Sequence, residues 1–87
     1  MDEKMLAEIQ AALEAVRIHY ILREDETPYR IEEWENGRIN LIIIVPPRFT
    51  KVCKPCAGIH FTKWFRKQYP DSIIANISLT NENLLNL

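Results

Sequence analysis

The chain has 87 residues, of which 47% are apolar and 26% charged, and it carries a formal net charge of −1. That length holds one domain and one core, and the composition is that of a folded globular chain rather than a disordered or fibrous one. Two cysteines are too few for a disulfide framework, and the longest apolar run, LIIIV, is far short of the roughly 20 residues that span a bilayer.

The opening MDEKMLAEIQ is acidic where a signal peptide would be basic and then apolar, so the expected setting is the cytoplasm, with no membrane partner. From Asp2 to about Val16 an amphipathic helix is predicted. Met5, Leu6, Ile9, Leu13 and Val16 fall on one stripe of a 3.6-residue period, as a helix that packs on a core requires. The next segment, RIHYILR, could extend the helix or alternate as a strand with Ile18, Tyr20 and Leu22 on one side. A strand from Arg17 is the expectation. DETP reads as a loop, because the residue before a proline avoids the helical region.

YRIEEWENGRINLIIIV carries the strongest local signal. Asn36-Gly37 tolerates the positive φ angles of a type I′ turn and separates two β-rich runs, which predicts a hairpin with strands at 29–35 and 38–45. LIIIV does not alternate, which suits a strand covered on both faces, whereas RIEEWE is polar enough for an edge. Pro46-Pro47 ends the ladder.

A second helix is predicted from Pro55 or Cys56 to Tyr69. At 100° per residue, Ala57, Phe61, Trp64, Phe65 and Gln68 share one side, read as the core face, while Cys56, His60, Lys63 and Lys67 share the opposite side. Pro70-Asp71 stops the helix, IIANISL follows as a strand, and TNENLLNL is a terminal helix or a tail. The predicted architecture is a single α+β domain over 1–87 in the order α-β-β-α-β, with one extra early strand as an option and both helices packed on one face of a mixed sheet.

Charge is distributed unevenly. Residues 1–35 hold ten acids against four bases, and residues 36–87 hold seven bases against two acids, a split of −6 and +5. Between residues 46 and 70 stand Arg48, Lys51, Lys54, Lys63, Arg66 and Lys67 with no acid among them. Such a block points to an anionic partner, or is answered internally by the acidic half.

KVCKPCAGIH is the stretch closest to chemistry. A strand, Cys-Lys-Pro-Cys, a helix and a further strand look like the active-site half of a thioredoxin-like domain. That resemblance implies attack by Cys53 and resolution by Cys56, with the helix start and the flanking Lys51 and Lys54 favouring a thiolate. The chain ends one strand later, without a downstream hairpin and proline to face the cysteines. A metal reading takes Cys53, Cys56 and His60, three of the four ligands a structural zinc needs, so the metal would bridge two copies. The plain reading is a pair of thiols packed where a loop enters a helix, with no cofactor. No serine, histidine and acid set elsewhere suggests a nucleophile, so an enzyme is not the expectation.

The element order is also similar to the BolA and type II KH arrangement, and VPPRFT followed by HFTKWFRKQY resembles the BolA stretch after its central strand. The motifs depart from both. Gly58 is followed by Ile59, His60 and Phe61 rather than by a Gly-x-x-Gly clamp, Lys51 stands where BolA has a glycine, and its Arg-His-Arg is missing, so neither family is assigned.

The leading expectation is a non-enzymatic binding module. Its basic surface, formed by the 46–55 loop and the outer face of the second helix, engages an acidic protein surface or a nucleic acid. Arg48, Lys51, Lys54, Lys63 and Lys67 supply the attraction and Phe49 an exposed anchor. A sequence pI near 6.1 lies well below the range above about 9 of dedicated nucleic-acid binders, which favours the acidic protein. The sequence leaves the oligomeric state open.

Overall fold

The computed structural model describes residues 2–46, 48 and 54–81, with only the backbone of Lys54 and Pro55. Two helices and a three-stranded mixed sheet follow one another as α1 (Glu3–Tyr20), β1 (Tyr29–Glu33), β2 (Ile39–Ile44), α2 (Lys54–Gln68) and β3 (Ile74–Thr80). This is the α+β order α-β-β-α-β expected from the sequence. No helix among the described residues is long and apolar enough to cross a membrane. The expectation for the C-terminal segment falls mostly on residues 82–87, outside the described residues.

α1 begins where Asp2 caps it, its carboxylate accepting the Met5 N–H at 2.7 Å, which satisfies one of the donors a helix start leaves open. Ile9, Ala12, Leu13 and Val16 form its buried stripe. The helix then runs through Tyr20, which corrects the strand expected from Arg17. Once a helix exists, each added residue gains a hydrogen bond at little cost, whereas an isolated strand here would have no ladder to join. Tyr20 also keeps the stripe, one turn beyond Val16, and packs against the core. The extra early strand is therefore absent, and Ile21, at φ 56, ends the helix in a left-handed turn.

The turn chemistry at Asn36-Gly37 is as expected, with φ of 63 and 74, but the strands are shorter and the register is displaced by one residue. Arg38 N–H donates to the Glu35 carbonyl while the Arg38 carbonyl accepts from Trp34 N–H, so two residues of the first arm oppose one of the second. That bulge pairs Tyr29 with Ile43 and Ile31 with Leu41. A one-residue change of register exchanges the faces of a strand. Here it puts Tyr29 and Ile31 on the helix side, packed against the core.

β2 is central, antiparallel to β1 and parallel to β3, and all of its residues but the half-buried Ile42 are buried, although both helices lie on one face of the sheet. One core joins Ile9, Leu13 and Val16 of α1, Phe65 of α2, Leu41 and Ile43 of β2, and Ile77 and Leu79 of β3. On α2 the buried arc is rotated from the expected one. Trp64 is 39% exposed and Gln68 is exposed, while Gly58 and Thr62 turn toward β3. Small side chains at 58 and 62 bring the helix close to the strand and leave Trp64 at the flank.

Candidate functional site: the groove between the helices

Where α1 and α2 lie side by side, alanines face the space between them. Ala15 on one side and Ala57 on the other are too small to fill it, and a groove of about 560 Å³ results. Its aromatic floor is made by Tyr20 and Phe61, both packed on the core. Ile18 and His19 line the α1 wall, His60 and Trp64 the α2 wall. The His19 ring stands edge-on to Tyr20 at 4.7 Å and to Phe61 at 5.6 Å, which fixes that corner. Burial raises the Tyr20 phenol above its ordinary pKa. The rim is unusually apolar for solvent-facing helix surface, with Ile18 69% and Trp64 39% exposed. An exposed apolar patch of this kind marks a contact surface more often than a scattered single residue does.

The basic residues divide into two groups. Lys63 and Lys67 are exposed on α2, one turn apart and on the same side of the helix as His60. Neither forms an ion pair among the described residues. Arg48, by contrast, donates from Nη2 to Glu26 Oε2 at 2.7 Å. A residue of the basic block is thus answered by the acidic half of its own chain. Phe49, Lys51 and Cys53 lie outside the described residues, and of Lys54 only the backbone is placed, in the first turn of α2.

Cys56 is exposed in the first turn of α2, on the same side of the helix as His60, and is disulfide-bonded rather than a free thiol. This differs from the plain reading of buried thiols. Pro55 stands beside it, at a helix start where a missing N–H costs nothing. No cluster of three or more histidines, cysteines or acids that could hold a metal is found among the described residues.

Lys63, Lys67, Cys56 and His60, expected on a common face, all fall within α2 at the spacing that places them on one side of it. Ile18, His19 and Tyr20 also line the groove, a role that a strand from Arg17 would not give them. Continuing the 3.6-residue period from Val16 would have shown Ala15 and Ile18 as apolar residues off the core stripe. Comparison with known proteins gives no matching family model, no similar curated protein and no similar solved structure.

Proposed function

We propose that the chain is a non-enzymatic, cytoplasmic binding module that receives an apolar segment of a partner protein, flanked by acidic residues, in the groove between α1 and α2. The observation that carries the reading is the juxtaposition of the apolar rim, Ile18 and Trp64, with Lys63 and Lys67 beside it. An apolar trough needs apolar side chains to fill it, and lysines at its border that form no ion pair among the described residues draw carboxylates and orient them. A nucleic acid would use the same lysines, but it offers no aliphatic side chains to bury against Ile18 and Ala57.

The test is selection from a displayed peptide library on the purified chain. Binders are expected to carry two or three apolar residues at helical spacing with aspartate or glutamate at the flanks. Their affinity should fall at least about tenfold on Lys63→Glu with Lys67→Glu and on Ile18→Glu, with NMR shifts mapping to Ala15, Ala57 and Phe61. Oligonucleotide binding that falls log-linearly with salt, with no peptide selected, would instead establish counterion-driven nucleic-acid recognition.

A second reading, thiol–disulfide exchange, is favoured by one observation: the bonded Cys56 is exposed at a helix start. Disulfides in cytoplasmic proteins are commonly transient and reactive rather than structural. Besides the topology that resembles the thioredoxin-like active-site half, the fold supplies an antiparallel neighbour for β2 from upstream, in β1. Equilibration with glutathione buffers, followed by thiol counting, tests it. Oxidation that resists every cellular glutathione poise would mark the bond as structural.

A further inference from the structure

The two edges of the sheet differ. On β3 the outward N–H and C=O of Ile77 are occupied by one side chain of α2. Thr62 Oγ1 accepts the Ile77 N–H at 2.9 Å and lies 3.2 Å from its carbonyl oxygen. At Ile77, the middle of that edge, the helix covers the strand, one of the ways in which folds protect an unpaired strand.

Among the described residues, the β1 edge has no such cover. Ile44 N–H donates to the Pro28 carbonyl and Trp34 N–H to the Arg38 carbonyl. The even-numbered residues of β1 therefore share their hydrogen bonds with β2, and the N–H and C=O groups of Tyr29, Ile31 and Glu33 point away from the sheet. No bond from these three outward pairs is made among the described residues. The side chains along this edge are also self-complementary. In an antiparallel pair centred on Ile31, Arg30 faces Glu32 of the second copy and Glu32 faces its Arg30. Ile31 meets Ile31, and Tyr29 lies opposite Glu33.

We propose that β1 pairs with β1 of a second copy about a twofold axis through Ile31, joining two three-stranded sheets into one of six strands. A twofold interface requires one patch to complement itself, and the order Tyr-Arg-Ile-Glu-Glu does so in this register. Arg30 and Glu32 of opposite copies occupy the non-hydrogen-bonded positions, where cross-strand side chains come closest. Glu32 is ready for that role, because Trp34 Nε1 and Asn40 Nδ2 both bond its Oε1, at 2.8 and 3.3 Å, and hold the carboxylate while Oε2 takes neither bond. On the helix side a hollow of about 510 Å³ lies beside Ile31 and Glu33, lined also by Met5 and Ile73, next to the Glu33 position that Tyr29 of the second copy faces in this register. The dimer leaves the groove between the helices open and does not depend on what that groove binds.

Sedimentation equilibrium of the full chain at submillimolar concentration gives the first measurement, with a dimer expected. Arg30→Glu and Glu32→Arg alone each place like charges across the axis and should raise the dimer dissociation constant at least about tenfold, whereas the double exchange should restore it to within about threefold of the parent. In a sample mixing two isotope labellings of the parent, contacts between the Hα atoms of Arg30 and of Glu32 in the other copy are expected, a readout that requires no variant to fold. A parent that stays monomeric throughout, single variants that dimerise like the parent, a double exchange without recovery, or a dimer lacking those contacts would each overturn the proposal.

Discussion

Gly58 of α2 is held against Ile77 of β3 so closely that a Cβ on residue 58 would stand 2.9 Å from the Ile77 carbonyl oxygen. The neighbouring Thr62 hydroxyl bonds the same residue of the strand. Helix and edge strand are thus joined by a backbone approach that only glycine permits. In an exposed helix Gly→Ala gains about 1 kcal/mol. Here Gly58→Ala should instead lower stability by about 1–3 kcal/mol, the usual cost of forcing extra volume into a packed contact. Urea denaturation decides it. An unchanged or raised midpoint would mean that α2 can move off β3 freely.

Gly37 presents the opposite case. Nothing lies within 4 Å of where its Cβ would be, so substitution meets no neighbour and reports on the backbone alone. At φ 74 a β-branched side chain is strained, and Gly37→Val should cost about 1–3 kcal/mol. Gly37→Asn should recover much of that, because asparagine enters the left-handed region readily. Thermal melts of the two variants make the comparison, and equal losses would show a steric rather than a conformational cause.

These two glycines also show how far the sequence could be read. Gly37 declared its turn beside Asn36, since few pairs accept two positive φ angles in succession. The one-residue bulge next to it was not legible, because it is decided by which register buries Tyr29 and Ile31. Gly58 gave no sign of its role, which depends on the parallel pairing of β3 with β2, and parallel partners leave no local turn signature. The end of α1 was misplaced for a similar reason: its left-handed residue is Ile21, where glycine is the usual marker. In the candidate site, the helical spacing of His60, Lys63 and Lys67 was plain from the residues. The groove was not, because each of its walls, taken alone, reads as ordinary helix exterior.

Ile21 holds a left-handed conformation at φ 56 and is 88% exposed. A β-branched residue pays a steric penalty there, and this one has little packing to offset it. Ile21→Gly should therefore stabilise the chain by about 1 kcal/mol, the steric relief being partly offset by the greater freedom of glycine in the unfolded state. Denaturant midpoints test this. A loss of stability would show that Ile21 contributes through contacts rather than strain.

Glu26 and Arg48 supply the pH-dependent prediction. The Arg48 guanidinium donates to Glu26 Oε2 at 2.7 Å, and Arg23 N–H donates to Oε1 at 3.1 Å. Chiefly through Arg48 and then through that backbone donor, the carboxyl is held below its ordinary pKa. A depressed folded-state value means that the pair stabilises the fold above the unfolded carboxylate pKa. The contribution is then lost as pH falls through the lower folded value. Arg48→Ala should accordingly be less stable than the parent at neutral pH, and the two should converge in acid. Carbon-detected NMR titration should show Glu26 ionising at lower pH in the parent than in the variant. Because the Arg48 side chain is 56% exposed, added salt should shrink the difference. A Glu26 titration that does not move on Arg48→Ala would refute the assignment of its shift to this pair, and would leave the basic block unanswered by the acidic half.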